Sequence, residues 1–264
     1  ANPRASRTVP FVSKATGVQM AKAAVLIGLG KSIAELKAEG YLPSNMDGAS
    51  LPEETAIAVK AAVLPFARFR TPEGVVVDSL LSPEMRSTGE VMGLAKHYDT
   101  AFAKAQAGAG SPLPTSGKGF ISVANHDKRN VIIYAKMLES LGFEIVSTGG
   151  TAEILRRNGL NSVIVASKFA EANGDHSIVD MVRNGDIDLI LNTPAGGAAR
   201  SDGYEIRAAA VSVGCPVMTT ISEFAAAVQA INALREHSWD IMSLQEHGVQ
   251  LAAAVDARSE GGEA

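Results

Sequence analysis

Two groups of residues in this sequence have the types and spacing that anion chemistry requires. Near the N-terminus, Asn2, Arg4 and Arg7 fall within the run Ala1-Asn2-Pro3-Arg4-Ala5-Ser6-Arg7-Thr8-Val9-Pro10-Phe11. Guanidinium forks at this spacing hold phosphate or carboxylate oxygens, and an Asn carbonyl can complete the shell of a magnesium ion. The same arginines could also be solvated on an N-terminal arm. Farther along, Ser147-Thr148-Gly149-Gly150-Thr151-Ala152 separates an apolar strand-like run from the helix-like stretch Ala152 to Arg157. The glycines let an anion approach the backbone, Thr148 and Thr151 supply hydroxyls, and the helix N-terminus adds N–H groups and a favourable dipole. A monophosphate suits such a cradle, although strand-to-helix turns use glycine for geometry alone.

Further polar groups stand at corresponding places. Ser122 and Lys128 follow one strand-like run, Lys168 follows another, and Asn192-Thr193-Pro194 ends a third. Two lysines neutralise a phosphate dianion, and an Asn with both donor and acceptor atoms can read a ribose or base edge. Each lysine by itself suits a solvated surface equally; their joint placement at strand ends points to one crevice.

The elements that must position these groups follow from hydropathy and punctuation. Apolar runs at Gly119–Val123, Glu144–Ser147, Ser162–Ala166, Ile187–Leu191 and Pro216–Thr219 alternate with helix-like segments. That alternation predicts an α/β fold with a doubly wound, mostly parallel sheet, whose ligands bind beyond the carboxyl ends of the strands. One helix is predicted from Val131 to Leu141, with Asp127 at its start and Gly142 after its end. Before the sheet, Val18 to Ala38 reads as helical with a break at Gly28-Leu29-Gly30. A buried strand is predicted over Ala61–Phe69, a tight polar loop over Ser82–Gly93, and a helix from Tyr98 to Gln106. Residues 107–117, rich in Gly, Ala, Ser and Pro, have the composition of a linker. The expected division is 1–106, linker 107–117, domain 118–255 and a disordered Gly- and Glu-rich tail over 256–264.

Composition narrows the classes. A chain of 264 residues with 46% hydrophobic content can bury a sizeable core. The formal net charge of −4 and a pI near 5.8 argue against a nucleic-acid partner. The apolar run Ala23–Gly30 is too short for a membrane span, and no cleavage site follows it. The one cysteine, Cys215, sits among apolar neighbours, cannot form an intramolecular disulfide, and fits a reducing cytoplasm. His97, His126, His237 and His247 lack metal-ligand spacing, so no metal cluster is expected.

The run from Ala1 to Gly17 resembles the end of an ATP-grasp domain in the large subunit of carbamoyl phosphate synthetase, which implies that this chain begins partway through an active site. The run Pro83-Glu84-Met85-Arg86-Ser87-Thr88-Gly89-Glu90-Val91-Met92-Gly93 is similar to the close of the carbamoyl-phosphate unit of that family. Glu84, Arg86 and Glu90 are expected to form an internal charged network that shapes this loop. An exposed ion cluster there would stabilise by at most ~1 kcal/mol. From Lys118 to His247 the chain resembles the methylglyoxal-synthase-like allosteric domain of the same subunits.

The resemblance implies a regulatory part of an ATP-dependent, glutamine-hydrolysing ligase, inactive when isolated. In the complete enzyme, Mg or Mn accompanies ATP, and a glutamine amidotransferase small subunit delivers ammonia. By position, it assigns Ser122, Lys128, Thr148, Gly150, Thr151, Lys168, Asn192 and Thr193 to a nucleotide effector such as UMP. Arg4 and Arg7 fall to the phosphate chemistry of the second ATP step and Asn2 to the metal. It leaves room for a homo-oligomer through the allosteric domain. Pro194 departs from the hydroxyl residue often found there. Ala61 and Met218 replace two acidic residues that contact ornithine in activated members, which implies no response to ornithine. The competing reading is a stand-alone methylglyoxal-synthase-like lyase acting on a small phosphorylated substrate. Its proton-abstracting candidates, Asp175, His176 and Asp180, fall outside that family's catalytic pattern.

Overall fold

The computed structural model describes residues 5–44, 55–69, 77–81, 83–167, 177–193, 196–236 and 241–261. Three short helices come first: α1 (Thr8–Thr16), α2 (Met20–Gly28) and α3 (Ile33–Ala38). Helix α1 ends at Gly17, whose φ of 72° is left-handed and suits a residue without Cβ. Ser32 and Glu35 close α3 with a reciprocal capping box, Glu35 N donating to Ser32 Oγ at 3.2 Å and Ser32 N to Glu35 Oε2 at 2.7 Å.

An antiparallel pair follows, β1 (Ile57–Val63) with β2 (Gly89–Ala95), in the register Val59 to Gly93 and Ala61 to Val91. The predicted strand over Ala61–Phe69 is therefore displaced toward the N-terminus. Pro65 has no N–H for a ladder, and the chain leaves the sheet for a 3-10 turn at Phe66–Arg68. The predicted polar loop over Ser82–Gly93 is likewise corrected, because its second half is β2. Glu90 pairs with Lys60 on the neighbouring strand at 3.5 Å, while Arg86 pairs with Glu84 at 2.6 Å. These are two separate, partly solvated pairs among the described residues, in place of the expected internal network of Glu84, Arg86 and Glu90.

Helix α4 (Tyr98–Gly108) lies against this hairpin at a distance that only glycine permits. A Cβ at Gly93 would overlap the Ala101 carbonyl oxygen and lie 2.6 Å from Ala105 N. The other side of α4 packs on the second unit, where Ala103 and, after the helix, Leu113 join a larger apolar core.

That unit contains β3 (Lys118–Ser122), α5 (Val131–Ser140), β4 (Glu144–Ser147), α6 (Gly149–Arg157), β5 (Ile164–Val165), α7 (Ile178–Arg183), β6 (Leu189–Asn192), α8 (Gly196–Val213), β7 (Val217–Met218), α9 (Ile221–Glu236) and α10 (Leu244–Gly261). The strand order is β5-β4-β3-β6-β7, with every described pairing parallel. It is the α/β parallel sheet expected from the alternation of strand and helix signals.

Side chains alternate between its faces as strand geometry demands. Ile121, Ile145, Leu189 and Leu191 face α5 and α9 residues such as Leu138, Phe224 and Ile231. Phe120, Val146 and Ile190 face α7 and α8 residues such as Ile178, Val182 and Ile206. Cys215 packs beside this second core, and burial, aided by Asp188, pushes its thiol up to about 12.

Local details differ from expectation in three places. Asp127 belongs to a 3-10 turn, Asn125–Asp127, and α5 begins at Val131, where the N-cap residue Asn130 makes no side-chain cap. Helix α6 starts at Gly149, three residues before Ala152, so both glycines lie in its first turn. Helix α10 runs to Gly261, into the stretch read as a disordered tail; Leu251 to Ala254 is a run of helix-favouring residues.

Candidate functional site

The sheet order creates the crevice. From the central β3 the chain first builds outward to β4 and β5, then returns to add β6 and β7 on the other side. The loop leaving β6 therefore diverges from those leaving β3 and β4, whose helices α5 and α6 share the other face, and a ligand fits beyond the strand ends at that reversal. In register, Ser122 stands beside Asn192 and Ile121 beside Ser147.

Hydroxyls and backbone groups knit these ends together. Ser122 Oγ and Thr148 Oγ1 are 3.1 Å apart and share a hydrogen bond. Ser147, fully buried, donates from Oγ to the Ile121 carbonyl at 2.6 Å. Val123 N donates to Thr151 Oγ1 at 3.3 Å, and Ala124 N donates to Thr193 Oγ1 at 2.9 Å. Thr193 N in turn donates to the Ser122 carbonyl at 3.2 Å. Thr151 and Thr193 thus use their oxygens as acceptors to shape the walls, and each hydroxyl keeps one O–H to donate.

Thr148 is the N-cap of α6, with φ −71° and ψ 152°, and its side chain caps no N–H of the helix. Its hydroxyl turns to Ser122 instead. Gly149 and Gly150, both exposed, occupy the first turn, where N–H groups have no partner within a helix. Lys128 reaches this turn from the segment after β3: a Cβ built on Gly150 would lie 3.3 Å from Lys128 Nζ. A cation, a helix N-terminus and two hydroxyls therefore meet at the ends of β3 and β4. Such a set is complementary to a phosphate dianion.

Asn192 and Thr193, each 8% exposed, close the crevice on the β6 side. Asn192 Oδ1 accepts from Arg207 Nη1 at 2.9 Å. One lone pair of this amide oxygen is thus engaged by the guanidinium, while Nδ2 is a donor on the opposite branch. A cleft of about 800 Å³ adjoins Thr193, lined also by Asp127, Asn130, Tyr134, Thr219 and Ser222. At its edge, Thr219 N donates to Glu223 Oε2 at 3.3 Å; burial raises the Glu223 carboxyl above its usual range, against the lowering effect of this bond.

The structure brings together Ser122, Lys128, Thr148, Gly150, Thr151, Asn192 and Thr193. Lys168, Asp175, His176 and Pro194 lie outside the described residues, as do Asn2 and Arg4. Arg7 is exposed at the N-cap of α1. Asp180 faces Arg183 at 3.8 Å on the exposed side of α7. Among the described residues, no group of three His, Cys, Asp or Glu side chains could hold a metal ion, and no helix is long and apolar enough to cross a membrane.

Sequence reasoning missed Arg207 and Asp78. Arg207 is fully buried, and its Nε and Nη2 donate to Asp78 Oδ1 and Oδ2 at 2.8 and 2.7 Å. The two residues are 129 positions apart, so no local pattern marks the pair.

Comparison with known proteins agrees with this geometry. Residues 130–219 match the MGS-like domain family. The carbamoyl phosphate synthase large chain of Kocuria rhizophila is 70% identical over 249 residues, covering 94% of this chain and 22% of that protein. The large chain of Paenarthrobacter aurescens is 64% identical over 260 residues, covering 97% of this chain and 24% of that one. That of Streptomyces griseus is 55% identical over 258 residues, with 97% and 23% covered. The chain thus spans under a quarter of the length of these curated relatives. It carries an MGS-like domain and, over nearly all its residues, is similar to part of a carbamoyl phosphate synthase large chain.

Proposed function

We propose that this chain, a close relative of part of the carbamoyl phosphate synthase large chain, serves as a regulatory portion of such an enzyme, with its MGS-like domain binding a nucleoside monophosphate such as UMP as an inhibitor. The observation that supports this most directly is the meeting of Lys128, the first turn of α6, and the Ser122 and Thr148 hydroxyls at the reversal of the sheet. The phosphate would sit on Gly149 and Gly150 N–H groups, with its charge offset by Lys128 and Lys168. The nucleoside would extend toward Asn192 and Thr193, where the Asn192 amine donates to a ribose or base oxygen.

The parent reaction would make carbamoyl phosphate from bicarbonate, glutamine-derived ammonia and two ATP for pyrimidine and arginine synthesis, in the cytoplasm, with a glutamine amidotransferase small subunit as partner. In that assembly Arg4 and Arg7 would steady phosphate and carboxylate oxygens, and Asn2 would face the metal that accompanies ATP. The described residues alone would be inactive. Inhibition follows from linkage: an effector preferring the less active arrangement tenfold shifts the equilibrium by ~1.4 kcal/mol.

The test is calorimetric titration of UMP, IMP and inorganic phosphate into this chain, with a Thr148→Ala, Lys128→Ala double variant as control. Saturable UMP binding that disappears in a folded control supports the reading. A folded wild type that takes up no nucleotide or phosphate removes it.

A further inference from the structure

We propose that Asp78, Arg207 and Asn192 form one polar chain through which the N-terminal unit sets the nucleoside side of the crevice; this inference rests on the nucleotide reading above. Arg207 is the largest fully buried side chain among the described residues. A guanidinium has only donors and does not lose its charge, so it must be matched by acceptors wherever it is buried. Two of its acceptors lie in different segments of the chain. Asp78, a segment apart from the sheet domain, receives Nε and Nη2 in a bidentate fork, and Asn192 receives Nη1. Asp78 Oδ1 also accepts from Leu80 N at 3.1 Å, which ties the fork to the backbone of its own turn.

Because Arg207 can only donate, it dictates which end of the Asn192 amide it meets. The oxygen is drawn to the guanidinium, and Nδ2, on the opposite branch of the same planar group, becomes the end available to a ligand. A second observation points the same way. A Cβ at Gly203 would overlap Arg207 Nη1 and lie 2.6 Å from Asn192 Oδ1. No positive φ requires glycine there. The requirement is for space, and the space is filled by the Arg207–Asn192 bond.

Apolar residues of similar volume could hold two units together at least as well as a buried ion pair. A directional chain adds something they cannot: it specifies the orientation of Asn192, the last residue of β6, which stands in register beside Ser122. Asp78 and Arg207 are positioning residues in this scheme, and neither touches the ligand. A nucleotide that accepts from Asn192 Nδ2 favours the engaged chain, and by reciprocity loosening the Asp78 end weakens nucleotide binding.

The experiment uses the 264-residue chain, with UMP and inorganic phosphate as probes. Asp78→Asn should weaken UMP by about fivefold or more, at the lower end of ordinary coupling, while phosphate, which on the proposed reading does not reach Asn192, stays within about twofold. In an Asn192→Ala background, Asp78→Asn should have no further effect on UMP. Hydrogen exchange at the Leu80 amide should slow when UMP binds the wild type and stay unchanged in Asn192→Ala, a readout that survives if Asp78→Asn fails to fold. Unchanged UMP affinity in folded Asp78→Asn, or Leu80 exchange indifferent to bound UMP, overturns the chain while leaving the nucleotide site intact. A wild type that binds no UMP defeats the site reading first, before any variant is compared.

Discussion

Lys128 Nζ stands over Gly150, 3.3 Å from the position a Cβ would take there. The relationship joins the segment after β3 to the first turn of α6 and concentrates positive potential where an anion meets free helical N–H groups. Lys128→Gln should therefore lower UMP and phosphate affinity together, by about tenfold, equivalent to ~1.4 kcal/mol. Titration at low and high salt checks it, since screening should shrink the difference.

Gly150→Ala probes the same spot differently. The backbone at Gly150 has no positive φ, and the Cβ would meet only the end of a flexible side chain. Folding stability should hold or rise by up to about 1 kcal/mol, because alanine suits a helix better than glycine. Anion affinity should fall as the ammonium is displaced. Thermal melts paired with phosphate titration separate the two effects.

At Gly93 the opposite outcome is expected. A Cβ there meets the backbone of α4 at Ala101 and Ala105, which cannot yield without moving the helix. Gly93→Ala should cost about 1–3 kcal/mol, the usual range for overpacking, or more if α4 separates from the hairpin. Denaturant unfolding measures the loss, and exchange at Ala101 to Ala105 would locate it.

Stability should also carry the signature of Glu223. Burial raises its carboxyl above the ordinary 4.5. In the folded chain the protonated form is favoured, so this group's stabilising contribution is present below pH 4.5 and is lost as pH rises through the raised folded value. Glu223→Gln keeps an oxygen for Thr219 N–H and removes the titration. The difference in unfolding free energy between variant and wild type should therefore move in favour of the variant as pH rises above 4.5. A flat difference across that window would show that Glu223 titrates alike in both states.

On the proposed reading, ornithine should not activate a carbamoyl phosphate synthase of which this chain would form part. Met218, 2% exposed at the end of β7, and Ala61 on β1 offer no carboxylate to an ammonium. A buried ammonium without its partner is strongly unfavourable. Synthase assays with and without ornithine at constant UMP decide it, and strong activation would refute the expectation.

Much of the sheet domain was legible because its signals are local. The apolar run Glu144–Ser147 coincides with β4, and Gly142, with φ 83°, ends the turn after α5 as its position suggested. Periods of two and of 3.6, helix caps and glycine turns are written within about ten residues of one another. Part of the crevice was legible for the same reason: Thr148, Gly149, Gly150 and Thr151 form one turn, and parallel topology places Ser122, Lys128 and Asn192 at neighbouring strand ends.

What the sequence by itself determined, then, was the parallel α/β domain, the strand ends at which polar residues gather, and the glycine and threonine composition of the α6 turn. Only the tertiary structure decided that Glu90 pairs with Lys60 across β1 and β2, that Gly93 yields its space to α4, and that Asn192 turns its oxygen to Arg207. It also decided that Asp78 closes on Arg207 from 129 residues away. The physical reason is the same in each case. A hydrogen bond or a steric vacancy between distant segments depends on where whole elements pack, and no residue type announces its partner until that packing has brought the two together.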